Sequence, residues 1–399
     1  MKHDFIKFSE LFKEPLKNGL NRPTKDRGSG YKMVNMGEIF AYDRIFNIDM
    51  ELVEVSEKER HYFLEKGDLL FARQSLVLSG AGKCSIFMGA PELITFEGHI
   101  IRARLNHSVC EPMFYYYYFN SYNGRKNIES IVEQVSAAGI RGSDLSNLMV
   151  PYPSLETQKE IAHILGTLDD KIELNRKMNK TLEEIAQALF KHWFIDFEFP
   201  NEEGKPYKSS GGEMIDSELG LIPKGWRVST IGDMCSFEYG KSLASNSRIS
   251  GKYPVMGSNG QIGWHDEPLV KGPGIVIGRK GNPGIVQWVH NDFFPIDTTF
   301  YAIPRLAAIP LIYIYYILCA AELHTYNSDS AVPGLNRDVA LNIQIINPSN
   351  IVLHNFSRII SILFDKLNVF SKQISVLPSM KQQLLTSLFS QNTEIINIR

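Results

Sequence analysis

LETQKEIAHILGTLDDKIELNRKMNKTLEEIAQALFKHWFIDFEFP, residues 155–200, decides the architecture. From Ile161 an apolar residue returns every seven positions: Ile161, Leu168, Leu182 and Leu189, with Asn175 on the same line. Ile164, Met178 and Ile185 mark a second line, interrupted by Lys171. Such spacing describes a helix with one apolar seam. Read as one helix, Glu156 to Phe194 would be about 60 Å long at ~1.5 Å per residue. That exceeds one small domain.

The same segment occurs twice, 195 residues apart. Ile161, Ile164, Leu168, Asp170, Lys171 and Ile172 align with Phe356, Ile359, Leu363, Asp365, Lys366 and Leu367. The register continues through Leu182/Leu377, Ile185/Met380, Leu189/Leu384 and Phe194/Phe389. Upstream, SAAGIRGSDLSNLMVPYPS (136–154) resembles SAVPGLNRDVALNIQIINPS (330–349). Matching seams predict that the two helices pair antiparallel as a coiled-coil spacer between two globular blocks. Two roles suit Asn175: setting coiled-coil register at some cost in stability, or a solvated position at the end of the contact. The second helix reads as the shorter one, and Pro378 should kink or divide it.

The remaining blocks read as mixed α+β. KGDLLFAR (66–73), GKCSIFMG (82–89), HIIRARL (99–105), GIVIGR (274–279) and GIVQWV (284–289) look like strands between Gly-rich turns. Tyr115–Tyr118 and Tyr313–Tyr316 fall in helices whose tyrosines belong in a core, with base stacking as the alternative. NEEGKPYKSSGG (201–212) has linker composition. The expected division is a first globular domain at 1–154 and a central spacer helix at 155–198. A linker with a second domain follows at 199–350, and a distal spacer helix with tail at 351–399.

Composition narrows the function. The 399 residues are 44% hydrophobic and 22% charged, ordinary for folded domains. Four dispersed cysteines suit a reducing cytosol, the start has no apolar leader, and the run Ala307–Ala321 is too short for a membrane span. Net charge is −2. Residues 1–154 hold 19 basic and 19 acidic side chains, and residues 199–350 hold 12 and 14. Neither block could hold nucleic acid by bulk charge alone.

Catalytic signatures are missing. Gly240–Lys241–Ser242 lacks the earlier glycine of a phosphate loop, position 235 being Cys. Gly278–Gly284 (GRKGNPG) reads as a turn between strands, and the ten histidines show neither HExxH nor zinc-finger spacing. No tetrapeptide of the NPPY type and no cofactor loop are present. The chain reads as a binding protein.

The segment 155–200, DSELGLIPKGWRVSTIGDMC (216–235), YPVMGSNGQIGWHDE (253–267), GIVIGRKGNPG (274–284) and the two-copy layout together resemble the DNA-specificity subunit of type I restriction–modification systems. The resemblance covers essentially the whole chain, although the first block lacks an IPKGW-type opening. It implies two mixed α/β target-recognition domains, each reading half of a bipartite asymmetric site on double-stranded DNA. It also implies two modification (methyltransferase) subunits docked on the helices, with motor–nuclease subunits joining for restriction. This chain would be non-catalytic and bind no cofactor. S-adenosylmethionine, ATP and magnesium would sit on its partners, in the cytoplasm.

Base readout calls for Arg at guanine and Asn or Gln at adenine. Candidates in polar turns are Arg73 and Gln74 in the first block, and Lys241, Asn259, Arg279, Lys280 and Asn282 in the second. Arg141 and Arg337, just before each shared helix, are candidates for phosphate. Spacer or partner contacts are expected from Ile161, Ile164, Leu168, Asn175, Leu182, Ile185, Leu189, Phe356, Leu363, Leu377 and Leu384. The rival reading is a two-domain coiled-coil scaffold that joins other proteins.

Overall fold

The computed structural model describes residues 4–134, 138–326 and 334–389. The chain divides into two compact units, one running to Leu174 and resuming at Gln373, the other Asn175–Lys372. The division cuts through both long helices, Leu155–Phe190 and Asn350–Phe389, rather than falling at their ends.

In the first unit a five-stranded sheet runs Lys17–Asn18, Ile100–Ala103, Leu69–Ala72, Cys84–Phe87, Arg44–Ile45. Its first four strands are antiparallel, and the last is parallel to its neighbour. Each four-residue strand is buried on both faces. Leu69, Phe71, Ile86 and Ile101 face the tyrosine-rich helix Pro112–Asn120, whereas Leu70, Ala72, Phe87 and Ile100 enter a second cluster with Val34 and Ile39. Side chains alternate across a strand, so short apolar runs serve two cores at once. Arg102 and Arg104 are also buried, and their charge is met by Glu14, Glu65 and Asp68.

The second unit repeats this plan. Its four-stranded antiparallel sheet runs Cys235–Tyr239, Thr299–Pro304, Gly274–Gly278, Val286–Val289. Ile275, Ile277 and Phe300 pack in one core with helix Leu311–Ala320, while Val276 and Val289 join Met256 and Phe293 in another. Each unit adds a three-stranded sheet with one parallel pairing: Arg27–Val34 with Ile94–Phe96, and Tyr253–Gly257 with Phe294–Pro295. The internal repeat therefore extends into blocks whose sequences have diverged. Buriable alternation and connection order preserve a sheet; particular residues need not.

The seam agrees with the sequence reading at one heptad position and differs at the other. Ile161 and Asn175 are buried, and Leu168, Leu182 and Leu189 half-buried. On the distal helix Phe356 is buried, with Leu363, Phe370, Leu377 and Leu384 half-buried. The second line, however, is Gln158, Leu165, Ile172, Asn179, Ala186 and Trp193, one residue later than expected. Ile164, Met178 and Ile185 point outward, at 43, 37 and 49% exposure, as do Ile359 and Met380 on the distal helix. Polar Gln158, Asn179 and Lys381 on the true line made the neighbouring apolar line look more regular.

Full burial of Asn175 removes its solvated reading. In the second unit Asn179 Nδ2 donates to Ser371 Oγ at 3.1 Å, while Phe194 packs on Phe356 at 4.9 Å between ring centroids. The helices therefore run antiparallel. In the first unit Asp169 accepts from Lys381 Nζ at 2.7 Å.

Two further readings are revised. The distal helix, 40 residues long, continues through Pro378 instead of dividing there, and the central helix runs on from its 36 residues into a π-helical turn, Lys191–Ile195, so the two helical runs are nearly equal in length. Pro378 is exposed, so water can reach the carbonyl its missing N–H leaves free. The linker-like segment 201–212 is anchored instead: Tyr207 stacks on Phe199 at 4.6 Å, and Phe199 on Trp226 at 4.9 Å. Among the described residues no helix is long and apolar enough to cross a membrane.

Candidate nucleic-acid interface

One backbone crossing recurs in the two units. In the first, strand Leu69–Ala72 ends at Arg73, whose N–H donates to His99 O at 2.9 Å. Its carbonyl accepts from Ile140 N–H at 3.0 Å. In the second, strand Gly274–Gly278 ends at Arg279, which donates to Thr298 O at 2.9 Å and accepts from Leu335 N–H at 2.9 Å. Each arginine is thus pinned where the sheet meets the segment leading to the long helix.

The side chains differ in their surroundings. Arg73 and Gln74 are exposed, Gln74 lying in a small sheet opposite Gly139. Arg141 is ion-paired with Glu133 at 2.6 Å. A cavity of about 220 Å³ at this end of the sheet is lined by Asn21, Arg22, Arg27, Glu97 and His99. None of these was anticipated. Arg22 and Arg27 are committed to Glu59 and Glu51 respectively, both at 2.7 Å.

In the second unit three of the expected residues, Arg279, Lys280 and Arg337, converge. A cavity of about 340 Å³ is lined by Tyr239, Arg279, Lys280, Phe300, Asn336 and Arg337 among others. The Arg279 guanidinium lies 5.2 Å from the Tyr239 ring centroid and 6.0 Å from that of Phe300, and Arg337 lies 5.5 Å from the same Tyr239 ring. Such stacking holds a cation by ring electrostatics without neutralising it. Gly278–Gly284 is the expected turn, closed by Gly284 N–H on Gly278 O at 2.8 Å. Asn282 Nδ2 donates to Asn259 Oδ1, and Ser258 Oγ donates to Lys280 O. Gln287 Nε2 donates to Gly257 O and Ser258 O, both at 3.1 Å. Gly260 has φ +114°, the conformation that the Asn259–Gly260 turn needs from glycine.

Lys241 lies outside that cavity lining, on the adjoining turn, with its N–H on Pro295 O at 3.1 Å. Arg141 and Arg337 are one step out of register. Arg141 holds the N-cap position of helix Gly142–Asn147 without a side-chain hydrogen bond to it, whereas Asn336 caps helix Arg337–Leu341 through its side chain and Arg337 opens it. Sequence reasoning missed Tyr239, Ser258 and Gln287. The available signal for Tyr239 was an aromatic closing a strand just before Gly240–Lys241.

Burial pushes the Cys110 and Cys235 thiols up to about 12, so neither supplies a thiolate near neutrality. Burial likewise raises Tyr115 and Tyr313, which belong to the cores. Among the described residues no three His, Cys, Asp or Glu side chains gather to hold a metal ion.

The type I restriction modification DNA specificity domain family matches residues 10–184 and 223–374, one match within each half of the repeat. The type I restriction enzyme MjaIX specificity subunit of Methanocaldococcus jannaschii is 29% identical over 303 residues, covering 69% of this chain and 67% of that protein. The HindI specificity subunit of Haemophilus influenzae is 29% identical over 191 residues, covering 47% of this chain and 40% of that protein. A crystal structure of a type I restriction–modification S subunit from M. genitalium shares the fold, with TM-score 0.62, 18% identity and coverage of 96% and 94% of the two chains. With a twice-used sheet plan, an antiparallel helix pair and family matches in both halves, this chain belongs to the type I restriction modification DNA specificity domain family.

Proposed function

We propose that this chain is the sequence-reading subunit of a type I restriction–modification complex, each unit reading one half of a bipartite site on double-stranded DNA. The observation that carries this reading is the repeated crossing that sets Arg73 and Arg279 at equivalent sheet ends beside polar turns. Arg73, Gln74, Lys241, Asn259, Arg279, Lys280 and Asn282 supply base contacts, while Arg141 and Arg337 supply phosphate contacts. The chain is a non-catalytic cytoplasmic component. Methyl transfer with S-adenosylmethionine belongs to two modification subunits, and ATP- and magnesium-dependent cleavage to motor–nuclease subunits.

The helices offer a partner surface. Ile164, Leu174, Met178 and Ile185 on the central helix are exposed, as are Ile359, Ile362, Val369, Val376 and Met380 on the distal one. Apolar rows of this kind suit docking by other subunits. They equally suit the rival scaffold reading, which the arginine-bearing crossings disfavour. Since neither block is net positive, the chain alone should bind DNA weakly and with strong salt dependence, and the complex much more tightly.

Genome-wide mapping of methylated positions, with and without this chain, tests the proposal. A chain-dependent bipartite motif is expected, and no difference would refute it. The spacing role has its own test. Four residues inserted near Asn175 lengthen that helix by ~6 Å but break its seven-residue seam. Seven residues inserted at matched positions in both helices keep the seam and add ~10 Å, about three base-pair steps. The gap between half-sites should grow while both half-sites keep their sequence.

A further inference from the structure

We infer that Arg279 reads a guanine, so that the half-site facing the second unit contains a G·C pair at that position. The inference rests on the DNA-reading function proposed above. It begins with what holds this side chain. The backbone of Arg279 is bonded on both sides, to Thr298 and Leu335, and its guanidinium lies against Tyr239 and Phe300. Among the described residues it makes no ion pair, and its buried Nε has no hydrogen-bond partner. A cation that is neither paired nor satisfied, yet fixed in place beside an open cavity, awaits an acceptor.

With Nε buried, the two terminal nitrogens are the available donors. A planar guanidinium presents them as a fork and is matched by two acceptors lying in one plane. Guanine N7 and O6 form that pair in the major groove. Adenine and cytosine place an amino donor there, and thymine offers one acceptor beside a methyl group. Phosphate also offers the guanidinium fork two acceptor oxygens, so the choice between phosphate and base rests on position. A half-buried guanidinium resting on two rings has less rotamer freedom to lose, which favours a contact that depends on position.

The corresponding residue of the first unit does not carry the same inference. Among the described residues Arg73 has no aromatic ring beneath its guanidinium.

The test is methylome mapping in cells carrying the full chain with its modification subunits, as wild type, Arg279→Lys and Arg279→Gln. Tyr239→Leu and Tyr239→Phe serve as positioning variants. Discrimination for guanine at one position of one half-site should fall about 5- to 150-fold in Arg279→Lys, the other half-site staying unchanged. Tyr239→Leu should weaken the same preference, and Tyr239→Phe should keep it. Melting temperatures of the purified full chains report any loss of folding. An unchanged motif in both Arg279 variants overturns the inference, as does a uniform fall in methylation with no altered base preference, the mark of a phosphate contact. A wild-type motif without guanine in the affected half-site also overturns it. If wild type gives no chain-dependent motif, the DNA-reading function itself fails.

Discussion

The turn after Ala72 and the turn after Gly278 occupy the same place in two copies of one sheet, yet carry opposite chemistry. In the first unit the chain returns to the sheet at Cys84 after a longer excursion, bearing Leu76 at 99% exposure with Val77 and Leu78 also exposed. Arg125 braces this loop by donating to Ser79 O at 2.8 Å and Gly82 O at 3.1 Å. In the second unit the chain returns at Val286 after a short glycine turn whose side chains are Arg279, Lys280, Asn282, Pro283 and Ile285. The backbone anchors are shared, Gly82 N–H on Ala72 O and Gly284 N–H on Gly278 O, both at 2.8 Å. Strand packing restricts what the sheet can accept, whereas an exposed loop is freer to change length and polarity. A protein that must read two different half-sites benefits from that separation.

The comparison breaks most visibly if the scaffold is damaged in one unit alone. Phe356 touches the rings of Phe190, Trp193, Phe194 and Tyr316. Phe356→Ala should cost about 3–5 kcal/mol and lower protection in the second unit. Hydrogen exchange resolved by peptide checks this, with the sheet of the first unit as internal reference.

Changing a tip should do the reverse. Replacing Leu76, Val77 and Leu78 together with Ser should leave the melting temperature nearly unchanged, because these side chains are exposed. If the apolar tip meets thymine methyls or wedges against base steps, DNA binding by the assembled complex should weaken by roughly 1–3 kcal/mol. Only the first half-site should lose definition.

A smaller effect separates the units by pH. Burial, reinforced by Lys372, holds His290 below the ordinary histidine value and outweighs the opposing pull of Asp365. A histidine kept neutral in the fold contributes stability that is full above its unfolded value, near 6.5. That contribution is lost as pH falls from there through the folded value. Melts at pH 7.5 and 5.5 should show His290→Gln losing less stability on acidification than wild type.

The smallest change concerns Arg141. Its exposed pair with Glu133 is worth ~0–1 kcal/mol, so Glu133→Gln should hardly alter folding. Freed for phosphate, Arg141 should raise DNA affinity a few-fold at low salt and steepen the salt dependence by about one counterion. An unchanged salt slope would remove Arg141 from the phosphate contacts.

Much of the architecture was legible because it depends on periodic burial. The helices, their pairing, the buried tyrosines and most strands follow from where apolar residues recur. The second seam was misread because periodicity alone cannot choose between adjacent lines when polar Gln158, Asn179 and Lys381 occupy the buried one. Pro378 does not divide the distal helix, since a proline on an exposed face forfeits one hydrogen bond that water can replace. The interface was legible only in outline. Arg279, Lys280 and Arg337 could be nominated as cations in turns, but not as neighbours around Tyr239.

The sequence by itself determined the repeat, the helix pair and the near-balance of charge that makes bulk attraction to DNA insufficient. These are properties of composition and period, carried by each residue's own chemistry. Tertiary structure decided which arginines share one crossing, which tyrosine they rest on, and which cations are already spent on Glu51, Glu59 or Glu133. Those matters turn on distances of a few ångströms between residues far apart in the chain, and only the folded sheets bring them together.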